Sequence, residues 1–439
     1  MSARQPRERA VKGESLVGAR WTLEVAGVAH GGHCVARHEG RVVFVRHALP
    51  GERVVAVVTE GRDGDSFVRA DAVEVLEASP DRVAAPCRFA GPGLCGGCDF
   101  QHATLEAQRR LKADVVREQF ARVAKMPDVD LEVRPVPGDA EGLRWRTRVE
   151  FAVDAEGRAG LRAHRSREVV RVDDCLIATE GVIASGVLDT EWEGCASVDV
   201  IDAAHPDEPV LVPVPDDDAS TDATGDDASG EGSGRAAGRG GPPSGGLVGE
   251  LVRQGDWEGE YVVAARGFWQ VHPGAASTFL SRVVDLLGAA PGDRVLDLYA
   301  GSGLFTMRLG ELVEPGGFVL GVEGDAVAAA NGERNTEHLP NVEWRAARVD
   351  RELRSLVRQG VTADLAVLDP PRTGAGKEVM ALLARVAPRR VVYVACDPAA
   401  LARDVRQAAE HGYVMTSLEG WDAFPMTHHV ECIAVLERG

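Results

Sequence analysis

From about residue 15 to 75 the chain alternates apolar and polar positions in short runs, TLEVAGVA, RVVFVRHA, ERVVAVVTE and FVRADAVEVLEA, separated by Gly and Pro turn signals. A period of two in runs this short predicts a small five-stranded, OB-like β-barrel. The period then changes. LEAQRRLKADVVREQFARVAK, between about Leu105 and Lys125, sets apolar residues at helical spacing with charges elsewhere, which predicts a helix used for packing. RWRTRVEFAV alternates again and reads as a strand. From about residue 290 apolar strands alternate with helical segments, the mark of a parallel α/β sheet. Three regions result, with boundaries at 12–78, 79–268 and 269–439.

With 439 residues the chain exceeds the usual single domain of roughly 100–200 residues, in keeping with that division. No apolar run approaches the ~20 residues that span a bilayer, so no membrane partner is expected. The first residues, MSARQPRERAVKGES, lack the apolar stretch of a signal peptide, and the expected compartment is the cytoplasm. Eight cysteines in such a chain speak for metal, cluster or catalytic use rather than a disulfide framework.

A net charge of −19 conflicts at first sight with a nucleic-acid partner. Its distribution changes the picture. Residues 1–180 hold 28 basic and 28 acidic side chains, so the whole deficit lies beyond them. Nine acids fall between Asp207 and Glu231, beside a run with almost no apolar residue, and residues 213–246 read as a disordered acidic insertion. Arg144, Arg146, Arg148, Arg158, Arg162, Arg165, Arg167 and Arg171 crowd one segment, read either as a basic strand face for RNA or as a solvated face with no ligand.

CRFAGPGLCGGC places Cys87, Cys95 and Cys98 in a Gly-rich loop, and VDDC adds Cys175. Four thiolates of this kind suit an iron-sulfur cluster or zinc, and spacing alone does not separate the two. In the α/β region, RVLDLYAGSG is an apolar strand entering a Gly-rich turn, where a cofactor approaches the backbone. Glu323 follows 22 residues after Gly301 at the end of the next strand, placed to hold ribose hydroxyls. LAVLDPPRTG ends a third strand in Asp369. RVVYVACDP puts Cys396 at a strand end just ahead of a helix, where amide donors and the helix dipole would favour a thiolate, although a lone cysteine there is more often packing. Glu431, inside the apolar run of HHVECIAVLER, should have a raised pKa and suit proton abstraction.

With these residues in place the chain resembles the bacterial RNA uracil-5-methyltransferases over nearly its full length. AHGGHCVARHEGRVVFVRHALPGE is similar to the TRAM domain, an RNA-binding barrel, and CGGC, FWQVHP, DLYAGSG, VEG, LDPPRTG, YVACDP and HHVEC follow in the family's order. The resemblance implies a Rossmann-like class I methyltransferase domain, an N-terminal TRAM barrel and a central α+β iron-sulfur and RNA-binding domain. It further implies a 4Fe-4S cluster on Cys87, Cys95, Cys98 and Cys175, with zinc the lesser alternative. By the same resemblance S-adenosylmethionine contacts Gln270, Tyr299, Glu323 and Asp369, Cys396 is the nucleophile and Glu431 the base. The expected partner is RNA, ribosomal in preference to transfer RNA, and the expected state is a monomer.

Three positions depart from the family pattern. Asp397 stands where Asn follows the catalytic cysteine, Leu304 stands where an Asn helps hold the cofactor, and seven residues rather than five separate Cys87 from Cys95. Two other functions remain open on the residues. LDPPR resembles the Asp-Pro-Pro-Tyr of amino-group methyltransferases, with Arg372 in the aromatic's place, and a non-catalytic RNA-binding or redox-sensing protein would account for Asp397 and Leu304.

Overall fold

In the computed structural model, residues 13–216 and 245–439 are described. The first five strands, β1 (Arg20–Ala29), β2 (His33–His38), β3 (Arg41–Arg46), β4 (Arg53–Glu60) and β5 (Phe67–Glu77), close into a barrel in the order β1-β2-β3-β5-β4. Alternation is the cause. Leu23 and Val25, Cys34 and Ala36, Val43 and Val45, Val54, Ala56 and Val58, Val68 and Ala70 all point inward at period two and form one buried cluster. The expected five-stranded barrel is present.

The helix Leu105–Gln119, capped by Thr104, runs on through a π-helical turn at Phe120–Ala124 and ends at Lys125 in the left-handed conformation. Its buried face (Ala113, Val116, Phe120) packs into the core of the large α/β sheet. A three-residue strand that follows, β6 (Val133–Pro135), adds to the edge of that sheet.

The middle of the chain folds as a five-stranded sheet of β7 (Arg148–Val153), β8 (Ala159–Arg162), β9 (Val169–Val170), β10 (Cys195–Ile201) and β11 (Val210–Pro215), in the order β11-β10-β7-β8-β9, with a short helix Glu180–Ala184. A hairpin, β12 (Leu247–Gln254) with β13 (Trp257–Ala264), leads into the last region. The expected acidic insertion lies mostly outside the described residues. Its expected start is corrected, because Pro213–Pro215 pair with Cys195–Val198 as part of β11.

The arginine segment also differs from the expected basic face. Arg144 and Arg146 precede β7, Arg144 grips Asp174 through two bonds of 2.8 and 2.7 Å, Arg148 meets Glu250 at 2.6 Å and Arg171 meets Asp154 at 2.7 Å. Carboxylates distant in sequence neutralise much of the stripe.

The large sheet adds β14 (Arg294–Leu298), β15 (Phe318–Glu323), β16 (Val342–Ala346), β17 (Leu365–Leu368), β18 (Arg390–Ala395), β19 (Tyr413–Asp422) and β20 (Glu431–Arg438), in the order β16-β15-β14-β17-β18-β20-β19-β6. Strands β14 to β18 are parallel and β20 runs antiparallel. Their near-continuous apolar runs fit burial on both faces. No helix among the described residues is long and apolar enough to cross a membrane.

One buried ion pair ties the first helix to this sheet. Lys112, on the helix Leu105–Gln119, places Nζ 2.5 Å from Asp422 Oδ1 and 2.9 Å from the Phe424 carbonyl, and both side chains are inaccessible to solvent. Removing one member of such a pair strands a buried charge, which costs about 3–5 kcal/mol. Lys112→Ala is therefore expected to lower the thermal midpoint by several degrees, read by calorimetry. An unchanged midpoint would show that the pair contributes nothing to the junction.

Candidate active site

The strand ladders place the expected residues on one edge. Leu298 of β14 pairs with Val322 of β15 and with Leu368 of β17, so the next step along each strand carries Tyr299, Glu323 and Asp369 side by side at the carboxyl edge. Ala395 of β18 pairs with Cys432 of β20, so the following step sets Cys396 opposite Glu431. Ligands bind at this edge in open parallel sheets.

The turn after β14 is built for close approach. Tyr299, Gly301 and Gly303 all have positive φ, and a side chain at Gly303 (φ +92°) would also crowd the Trp344 ring at 3.2 Å. Glu323 accepts the Gly301 amide at 2.9 Å and the Asp325 amide at 2.7 Å. Asp297, buried one residue before the end of β14, accepts the Thr306 hydroxyl at 2.5 Å while its other oxygen is buried without a partner. Gln270 is buried beside the exposed Phe268 in the segment leading from β13. Leu304 is buried, and its carbonyl accepts the Tyr261 hydroxyl at 3.0 Å.

Three carboxylates thus share a small volume with little compensation. Burial, then Asp297 and Glu323, push Asp369 up to about 7, and burial pushes Asp297 to about 7 with Glu323 adding to it.

Cys396 departs from expectation. A helix, Pro398–Ala409, does begin immediately after it, but burial, followed by Glu431 and Asp369, drives the thiol far above its usual range, and Arg372 opposes them only in part. Desolvation and the facing Glu431 and Asp369 thus act against a thiolate at this position. Asp397 adds in the same direction, yet its carboxylate is engaged: Oδ1 caps the helix through the Ala400 amide at 2.7 Å and Oδ2 lies 3.1 Å from His30 Nε2. Burial, reinforced by Asp369, raises Glu431 well above an ordinary carboxyl, with Arg372 opposing.

Asp99 and Asp404 were not read from the sequence, whereas Arg372, His428 and His429 were named there without a catalytic role. Arg372 Nη2 lies 3.2 Å from the His429 ring nitrogens, and the His428 and His429 rings are 4.1 Å apart. His428 Nδ1 meets the buried Asp99 at 2.7 Å. Asp404, fully buried, accepts the Tyr393 hydroxyl at 2.7 Å and the Ala375 amide at 2.8 Å, which fastens the loop following Asp369. An acid inside an apolar strand was the signal that found Glu431, and it marks Asp297 equally well.

Cys396 opens on a cavity of about 320 Å³ walled by Phe44 and Arg69 of the barrel, His164 and Arg165 of the β8–β9 turn, and Arg372. That volume lies at the small end of ligand pockets and suits a single base. Its walls come from all three regions of the chain.

Cys87, Cys95, Cys98 and Cys175 are all free thiols. Burial pushes Cys95 up to about 11 and Cys98 well above its usual range, and Cys175 adds to both, which places the sulfurs within electrostatic reach of one another. Among the described residues, no three His, Cys, Asp or Glu side chains gather closely enough to hold a metal ion. The Gly97 amide points at Cys95 Sγ (3.4 Å) and the Gln101 amide at Cys98 Sγ (3.3 Å).

Known proteins bear on this geometry. The family described as tRNA (Uracil-5-)-methyltransferase matches residues 246–439, and the TRAM domain matches residues 14–73. An uncharacterized RNA methyltransferase of Streptomyces coelicolor is 46% identical, across 96% of this chain and 94% of its own. The 23S rRNA (uracil(1939)-C(5))-methyltransferase of Alkalilimnicola ehrlichii is 34% identical, across 95% and 96%. The crystal structure of Pyrococcus abyssi tRNA (uracil-54, C5)-methyltransferase, in complex with S-adenosyl-L-homocysteine, shares the fold with a TM-score of 0.66 at 21% identity, covering 94% of this chain and 99% of that one. Full-length similarity to these enzymes, a TRAM barrel at the front and a methyltransferase sheet at the back establish that the chain belongs to the RNA uracil-5-methyltransferase family.

Proposed function

We propose that the protein methylates carbon 5 of a uridine in 23S ribosomal RNA through a transient bond between Cys396 and carbon 6. The observation that carries this reading is the pairing of Cys396 with Glu431 at the sheet edge, beside the cavity and next to the cofactor strands. An amino-group methyltransferase has no use for a buried thiol facing a buried carboxyl. The ribosomal substrate is supported by full-length similarity to a 23S rRNA enzyme.

Bound S-adenosylmethionine supplies an electrophilic methyl group, held by Gln270, Tyr299, Glu323 and Asp369. Carbon 5 of uracil is too weak a nucleophile to take it unaided. Cys396 sulfur loses its proton to solvent as it adds to carbon 6, and the resulting enolate makes carbon 5 nucleophilic. Arg372, the cation facing both Cys396 and Glu431, favours the charged forms of each. After methylation, Glu431 takes the proton from carbon 5, the enolate re-forms, and the carbon 6–sulfur bond breaks to release Cys396. The net change replaces one hydrogen on carbon 5 with methyl and liberates one proton.

A flipped uridine must reach Cys396, at a cost of a few kcal/mol. Phe44 offers a stacking surface, and Arg165 offers a partner for phosphate.

The four cysteines suit an iron-sulfur cluster by donor set and by the N–H groups aimed at two of the sulfurs. Bound there, a cluster supplies a covalent staple for the loop. That loop supports the base strand, since the Asp99 and Phe100 amides each donate to the Met426 carbonyl at 2.9 Å, five residues ahead of Glu431.

The test is methyl transfer from labelled S-adenosylmethionine to unmodified 23S rRNA and to unmodified tRNA, with the product identified by mass spectrometry. 5-Methyluridine in 23S rRNA alone is the expected result. Label in tRNA alone would move the substrate, and label on an exocyclic amine would replace the reaction.

A further inference from the structure

The turn joining β1 to β2, His30-Gly31-Gly32, reaches from the barrel across to the nucleophile. Gly31 and Gly32 both have positive φ, at +90° and +77°, and a Cβ on Gly32 would stand 2.8 Å from Asp99 Cγ. The turn is thus seated against the cysteine loop with no space for a side chain. Its leading residue, His30, places Nε2 3.1 Å from Asp397 Oδ2. Asp397 directly follows Cys396.

A carboxylate in that place opposes a thiolate, and a donor hydrogen-bonded to it draws its charge away from the sulfur. The backbone amides of Ala400, at 2.7 Å, and Ala399 also donate to the Asp397 side chain, and both are neutral donors. We propose that His30 is a positioning residue for Cys396: held on the barrel, it binds and offsets the Asp397 carboxylate, and so makes nucleophile activation depend on the barrel being docked. The inference rests on Cys396 being the nucleophile.

The remaining charges around the sulfur are Glu431 and Asp369, which oppose the thiolate, and Arg372, which favours it. Lys112, His33, His428 and His429 line the same cavity. None of these is carried on the turn, so a His30 substitution leaves them in place. Burial raises Asp397, but the His30 bond, then the Ala400 amide, bring it below an ordinary carboxyl, in keeping with a carboxylate held charged beside a donor. His30 itself is 42% exposed, and its replacement removes little packing.

The test follows Cys396 alone. The full-length protein, without RNA, is treated with iodoacetamide across a pH series, and alkylation of the Cys396 peptide is timed by mass spectrometry for wild type, His30→Ala, Asp397→Asn and the double variant. His30→Ala is expected to slow Cys396 alkylation about tenfold at each pH of the series, the rate equivalent of about one pH unit below the thiol's midpoint. Asp397→Asn is expected to quicken it, and in that background His30→Ala should have no further effect. An unchanged alkylation rate in His30→Ala, or an equal slowing with and without Asp397, overturns the proposal. Methyl transfer by Cys396→Ala is measured alongside. Activity retained there would refute the nucleophile assignment, whereas loss of activity with an unchanged alkylation rate in His30→Ala would refute only the part given to His30.

Discussion

Cys396→Ala is expected to lose methyl transfer by at least about 10⁴-fold, while folding and cofactor affinity stay close to wild type. Without the sulfur no enolate forms at carbon 5, and no other thiol can replace it: Cys432, next to Glu431, is wholly buried within β20. The small cavity left at a strand end explains why stability should hold. Single-turnover transfer from labelled S-adenosylmethionine reads the first quantity, and calorimetry with and without the cofactor reads the other two. Full activity in this variant would favour an amino-group acceptor.

Glu431→Gln is expected to separate methylation from release. Bond formation at carbon 6 and transfer to carbon 5 do not require the base, but removal of the carbon 5 proton does, so the methylated RNA should remain joined to protein. General bases contribute about 10²–10⁴-fold, and turnover should fall within that range while the first methyl transfer proceeds. The same carboxyl sets a pH dependence. Because burial and then Asp369 raise Glu431, the proton stays on as pH climbs through the ordinary carboxyl range, and the base form accumulates only above the raised value. Release in wild type should therefore quicken with rising pH, and the dependence should vanish in Glu431→Gln. A pH-independent release rate in wild type would contradict a titrating base.

Much of the scaffold was legible because it rests on local periodicity. The barrel's alternate residues and the apolar strands ending in Tyr299, Glu323, Asp369 and Cys396 each carry their own signal. What escaped depends on contacts between residues far apart in sequence. β6 is three residues long and becomes a strand only because β19 offers an open edge. The arginine segment reads as free positive charge until Glu250 and Asp174 fold onto it. The surroundings of Cys396 escaped for a related reason: the helix start is visible in Cys396-Asp397-Pro398, but the facing Glu431 and Asp369 come from other strands. His30 lies 367 residues from Asp397, and no pattern in the chain joins them.

The same accounting explains the three-region cavity. In the proposed mechanism the reacting groups Cys396 and Glu431 and the neighbouring carboxylates all lie on one sheet, while Phe44, Arg69, His164 and Arg165 close the opposite side. A substrate must engage barrel and central sheet before its base reaches the sulfur, so substrate choice and chemistry meet in one space.

The most direct test of the account is peptide mapping by mass spectrometry after Glu431→Gln is incubated with unmodified 23S rRNA and S-adenosylmethionine, then denatured and digested. The account predicts a methylated uridine nucleotide attached to the Cys396 peptide and to no other. A Glu431→Gln protein that turns over at the wild-type rate, or an adduct on a different residue, would contradict it.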